Sequence, residues 1–110
     1  MKPIALRVIQ DSGGKAPFAS WFHALERSAR SKVSAALFQM EEGNFSDSKY
    51  LSKGIWERRI HSGPGYRVYF AKHGRDVLIL LGGGTKRTQA LDIRRVQELW
   101  ADYAHSENEG

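Results

Sequence analysis

Between Trp56 and Phe70 the chain reads WERRIHSGPGYRVYF, a strand, a Gly-Pro-Gly turn and a second strand carrying unusual charge for a sheet. Side chains alternate across a strand. Glu57, Arg59 and, at the rim, His61 therefore share one face, and Trp56, Arg58 and Ile60 share the other. After the turn, Tyr66, Val68 and Phe70 form an apolar face while Arg67 and Tyr69 point the opposite way. If the Ile60 and Val68 side meets the core, then Glu57, Arg59, Arg67 and Tyr69 lie together on an open face. Lys86 and Arg87 follow a glycine-rich segment at the end of a neighbouring strand and are expected to reach that face. One carboxylate, several permanent cations and a phenol suit phosphate gripping and neutralisation of transition-state charge, because guanidinium forks match phosphate oxygens. A plain Glu57–Arg67 or Glu57–Arg59 surface ion pair, contributing at most about 1 kcal/mol, would use the same residues.

Other chemistries find less support. The chain has no cysteine, so disulfides and thiolate metal sites are excluded. His23, His61, His73 and His105 lack ligand spacing, and no metal or other cofactor is implied. Gly82-Gly83-Gly84-Thr85-Lys86 follows an apolar strand but lacks the spacing of a nucleotide-binding phosphate loop. No nucleophile turn supports a Ser-His-Asp arrangement.

The elements that must carry these residues can be read in order. Ile4 to Ile9 alternates weakly and is bounded by Pro3 and Asp11-Ser12-Gly13-Gly14, which predicts a short strand. Phe18, Trp21, Phe22 and Leu25 give a helix face over 17–27, with Pro17 in its first turn. Val33, Ala36, Leu37 and Met40 repeat the pattern over 31–42, ending at Gly43-Asn44. The short join predicts an antiparallel helical hairpin with a core of aromatics. A polar connection over 45–54 leaves room for a short strand near Tyr50-Leu51. Strands at 55–61 and 65–72 follow, then the apolar run Val77 to Leu81, a strand covered on both faces or lying mid-sheet and ended by Gly82-Gly83-Gly84. A last helix over 88–103 shows Leu91, Val96, Leu99 and Trp100 as its apolar side. The order β-α-α-β-β-β-α gives an α+β domain, an N-terminal strand and helical hairpin on a mostly antiparallel sheet with a C-terminal helix. At 110 residues the chain is one domain, 1–110.

Charge is unevenly distributed. Residues 49–95 hold eleven Lys/Arg against three Asp/Glu, whereas residues 96–110 hold no Lys/Arg and four Asp/Glu. A basic centre of this kind points to a polyanionic partner, nucleic acid before membrane. The N-terminus is too short and polar for a signal peptide and no run approaches a membrane span, so a cytoplasmic location is expected.

The ordered set of motifs resembles a known family. GPGYRVYF at 63–70, Glu57-x-Arg59-Ile60 before it, and the glycines followed by Lys86, Gln89 and Asp92-Ile93 after it resemble RelE/HigB-type toxins of type II toxin–antitoxin modules, in the branch called addiction-module killer proteins. Phe18-x-x-Trp21-x-x-x-Leu25 and Gly43-Asn44 before Asp47-x-Lys49 fit as well, so the similarity spans about 4–103. The resemblance implies a cognate antitoxin, often a helix-turn-helix protein, and growth arrest by cleavage of mRNA, commonly on the ribosome. It makes Arg67 and Lys86 the leading candidates for phosphate contact, followed by Glu57 and Arg59. Glu57 or His61 would be the base, and Lys86 or Tyr69 would help the leaving group. Arg87, Lys53, Arg58 and Lys49 would bind RNA. Two positions depart from the family pattern: Arg58 replaces a usually apolar residue, and Thr85 a usually acidic one. The alternative within the same fold is a non-enzymatic, ParE-like toxin that binds a protein target such as DNA gyrase.

Overall fold

The computed structural model describes residues 3–109, and the side chains of 3–105. Five strands form one sheet: β1 (Ala5–Val8), β2 (Ser48–Ser52), β3 (Ile55–Ile60), β4 (Tyr66–His73) and β5 (Val77–Thr85). Their order across the sheet is β1-β5-β4-β3-β2, antiparallel throughout except for the parallel β1–β5 pair. The helices are α1 (Pro17–Ala24), α2 (Arg27–Glu41) and α3 (Gln89–Glu109), the last preceded by a 3-10 turn at Lys86–Thr88. The α+β class and the N-terminal strand, helix pair and C-terminal helix agree with the sequence reading. The short strand near Tyr50-Leu51 is β2.

Four boundaries differ: α3 runs on to Glu109 rather than stopping near 103, and the other three differ for local reasons. Leu25 and Glu26 are extended, so α1 stops early and α2 starts at Arg27. The Arg30 side chain secures that break by donating to the carbonyls of Leu25 at 2.9 Å and His23 at 3.3 Å. The glycines do not end β5, which runs through them to Thr85, pairing Gly82 with Tyr69 and Gly84 with Arg67. They are needed there for close approach, because a Cβ on Gly83 would strike the Trp21 ring of α1 and one on Gly84 the Asp92 carboxylate of α3.

The sheet is covered on both faces. Against one, α1 and α2 build a core of Phe18, Val33 and Met40 on Val68, Phe70, Leu78 and Leu80. These two helices pack chiefly on the sheet, α1 over β5 and α2 over β3. Against the other face, α3 lays Val96 and Leu99 on Ile55, Tyr69, Ala71, Ile79 and Leu81. Leu91, assigned to the apolar side of this helix, is 47% exposed instead. No described helix is long and apolar enough to cross a membrane.

Candidate functional site

The β3–β4 register sets the site. Arg59 stands opposite Arg67 and Glu57 opposite Tyr69, so these four residues share one face as alternation required. That face is not open. Glu57 is 2% exposed, Tyr69 0% and Arg67 9%, because α3 covers the sheet here; Arg59 alone of the four is exposed. The expectation of a solvated working face is therefore corrected. Its cause lies in Ile55, Tyr69 and Ala71, which extend the apolar surface of β5 across β4 and β3 and draw α3 onto it.

Under α3 the charges are paired with good geometry. Arg67 Nη1 donates to Glu57 Oε1 at 2.8 Å, and Gln89 Nε2, from the first turn of α3, donates to the same oxygen at 3.0 Å. Two donors occupy one oxygen of this buried carboxylate, so Glu57 orients Arg67 rather than standing free as a base. The Arg67 Nε is buried without a partner, which leaves that guanidinium with unused donor capacity.

Tyr69 cannot take the part of a readily ionised phenol. Its hydroxyl is buried without a hydrogen-bond partner. Burial raises its pKa first, the Glu57 and Asp92 carboxylates raise it further, and Arg67 only partly offsets them. Asp92 sits over Gly84 and accepts from the Thr88 hydroxyl, which also accepts from the Thr85 amide at 3.2 Å. The last strand and the start of α3 are thereby tied together beside Arg67.

The exposed cations gather at the hairpin tip. Gly63 and Gly65 take positive φ, 52° and 78°, which only glycine adopts cheaply, and the turn closes with the Gly65 amide donating to the Ser62 carbonyl at 2.9 Å. The Gly65 carbonyl accepts from the Lys86 amide at 2.9 Å, fixing exposed Lys86 and Arg87 next to the tip and two residues from Arg67. Arg59, Arg67, Lys86 and Arg87 thus belong to one end of the sheet.

The other nominated residues fall elsewhere. Lys49 is exposed on β2 opposite Glu57. Lys53 lies in the two-residue β2–β3 turn, at the far end of β3, where it and Gly54 both take positive φ. That separates Lys53 from the cluster. His61 leaves the strand after Ile60 and lies with its Nε2 3.6 Å from Asp47 Oδ1, away from Glu57. Arg58 is not on the exposed surface with the other nominated RNA contacts: it is 5% exposed, buried on the α2 side of the sheet and donating from Nη2 to Gln39 Oε1.

Two clefts flank these groups. One of about 470 Å³ lies along Gly82–Thr85, where β5 continues past the end of β1, and is lined by Trp21, Thr88, Asp92 and Arg95. The other, about 340 Å³, lies between α2 and β3 and holds Arg58, Arg59 and His61 with Lys32, Gln39 and Asp47. Among the described residues no cluster of three His, Asp or Glu is placed to hold a metal ion. Gln89, Thr88 and Gln39 were given no role from sequence. Gln89 had a signal, since it sits in the quoted motif three residues after Lys86, whereas an uncharged helix residue such as Gln39 had none.

Residues 20–99, from α1 into α3, match the family model described as phage derived protein Gp49-like (DUF891). A protein of Haemophilus influenzae (strain ATCC 51907 / DSM 11121 / KW20 / Rd), described as uncharacterized, is 41% identical over 83 residues, covering 74% of this chain and 84% of its own. Neither description names an activity, a ligand or a partner.

Proposed function

The chain belongs to the Gp49-like family of phage-derived proteins, and from its motif resemblance to RelE/HigB-type toxins and the geometry of the hairpin tip we propose that it is the toxin of a toxin–antitoxin module, an endoribonuclease that arrests translation by cutting mRNA. One observation carries the reading. A guanidinium, Arg67, is held by Glu57, itself fixed by Gln89, at the same end of the sheet as the exposed cations Arg59, Lys86 and Arg87. A fixed guanidinium among exposed cations is suited to a phosphodiester whose charge grows in the transition state, because a preset dipole or charge costs no reorganisation.

In the proposed reaction the ribose 2′-oxygen attacks the adjacent phosphorus. The O2′–P bond forms, the P–O5′ bond breaks, a base takes the 2′-proton and the 5′-oxygen gains one. The products are a 2′,3′-cyclic phosphate and a 5′-hydroxyl. Arg67 neutralises the phosphoryl oxygens, Lys86 assists the leaving oxygen, and Arg59 and Arg87 hold the flanking phosphates. Glu57 is occupied by two donors and Tyr69 is sealed, so proton transfer falls to groups brought by a host particle, the ribosome. Positioning on such a particle lowers the barrier without a strong base in the protein. The reading includes cytoplasmic action and a cognate antitoxin, a helix-turn-helix protein that presents acidic residues to the cation cluster.

A second reading, a non-enzymatic toxin acting on a protein target, is favoured by the burial of Glu57 and Tyr69 under α3. Primer extension on cellular mRNA after induced expression separates the two. Discrete cuts within translated regions, unaffected by EDTA in a purified translation reaction and lost in Arg67→Ala, support the nuclease. Growth arrest with intact mRNA supports the alternative.

A further inference from the structure

Arg58 is the least explained charge in the molecule. It is 5% exposed, no carboxylate among the described residues pairs with it, and its Nε and Nη1 are buried without partners. Only the neutral Gln39 Oε1 accepts from it, at Nη2. A guanidinium removed from water in this way is unfavourable unless an anion or a full set of acceptors meets it. A second group next to it is in the same condition. Ser48, its direct cross-strand neighbour on β2, has a buried hydroxyl that also lacks a partner. Two adjacent unsatisfied donors are more than a native interior leaves without reason.

Arg58 lines the cleft of about 340 Å³ between α2 and β3. Lys32 and Arg59 add two further cations to its wall, and the single carboxylate, Asp47, is turned toward His61 at 3.6 Å. Positive charge is therefore in excess around a space large enough for a phosphate group. Gln39 is exposed on α2, so its amide can swing away from Nη2 without disturbing the core.

We infer that this cleft is a phosphate-binding site, filled in the working protein by a backbone phosphate of a bound RNA strand, with Arg58 as its central ligand and Gln39 as the group the incoming oxygen displaces. The assignment to RNA rests on the nucleic-acid reading above. The phosphate chemistry follows from donor geometry: Arg58 presents Nη2 to the cleft once Gln39 moves aside, and Lys32 and Arg59 in the same wall add positive charge. Arg59 borders this cleft and also stands opposite Arg67, so a strand passing over it would connect the two sites.

The test uses the full chain labelled with 15N. The Arg58 Nε–Hε resonance is followed during titration with inorganic phosphate and with a fully 2′-O-methylated hexanucleotide, which binds but cannot be cut because its nucleophile is blocked. Both probes are expected to shift the resonance, and Arg58→Gln is expected to weaken the hexanucleotide about tenfold, the loss typical of one charge-assisted contact. Gln39→Glu provides a folding-independent check: an internal carboxylate should raise the melting temperature and weaken the hexanucleotide to a similar degree. The inference is overturned if neither probe moves the resonance, or if phosphate moves it while both variants bind the hexanucleotide normally. Binding through Arg58 without cleavage of the unmodified RNA would instead leave this site standing and remove the nuclease reading.

Discussion

Glu57, Arg67 and Gln89 show how one contact serves both stability and function. The pair is buried, so removing one partner strands the other. Glu57→Ala is expected to destabilise the fold by about 3–5 kcal/mol in urea denaturation. Replacing both charges with apolar residues, Glu57→Leu with Arg67→Met, is expected to recover most of that loss while abolishing RNA cleavage. Arg67→Lys keeps the charge and loses the fork, so the protein should fold while cleavage drops at least tenfold. Tyr69 gives a prediction of opposite sign. Its hydroxyl is buried without a partner, so Tyr69→Phe should be neutral or stabilising by about 1 kcal/mol at pH 7. The raised pKa adds a pH signature. In the unfolded chain the phenol loses its proton near 10.0, while in the folded chain it keeps it to higher pH. Stability from this difference is fully present below about pH 10 and declines as pH rises further. Tyr69→Phe should remove that part of the slope, measured as the difference between the two denaturation curves across pH 9 to 11.

At the scale of elements, the sheet depends on two helices pressed onto glycines. Gly83 lies where the Trp21 ring of α1 meets the backbone of β5, so Gly83→Ala should cost about 1–3 kcal/mol by overpacking. The cost should largely vanish in a Trp21→Ala background, which thermal melts of the four proteins in a double-mutant cycle would measure. The same region shows what sequence could and could not convey. Alternation correctly put Glu57, Arg59, Arg67 and Tyr69 on one face, and the helix periodicities located all three helices. Periodicity does not say which face of a sheet a helix covers. A clue was present in Val77 to Leu81, since a strand apolar on both sides requires a layer on each, and α1 with α2 supplies only one. With α3 as the remaining apolar helix, the face bearing Glu57 had to be closed. Glycine's entropy disfavours strands, so Gly82-Gly83-Gly84 suggests a strand end, yet tight packing of Trp21 and Asp92 outweighs that cost. Alternation cannot place His61, because it stops applying once the strand ends at Ile60.

Across the whole molecule, the segment 49–95 carries nearly all the excess positive charge, and apart from Arg58 and Arg67 every Lys and Arg in it is exposed. Exposed charge alone would attract any polyanion without fixing its path. The two buried guanidiniums are different, because each is held on one side of β3 or β4 with donors to spare: Arg67 under α3 and Arg58 under α2. Arg59 lies between them, facing Arg67 across the strands and bordering the Arg58 cleft. An RNA strand that crosses the tip of the β3–β4 hairpin would meet Lys86 and Arg67, then Arg59, then Arg58. About four phosphates would be neutralised, so the logarithm of the affinity for a single strand should fall with the logarithm of salt concentration with a slope of about −3. Replacing Lys86 or Arg58 by Gln should each flatten that slope by about 0.7, because each releases one condensed counterion fewer. Lys53, at the opposite end of β3, is the control, and Lys53→Gln should leave the slope unchanged. Fluorescence anisotropy of a labelled, 2′-O-methylated strand over 50 to 300 mM salt measures all four proteins. Equal flattening by Lys53→Gln would mean that RNA senses only the overall charge and follows no path across the hairpin.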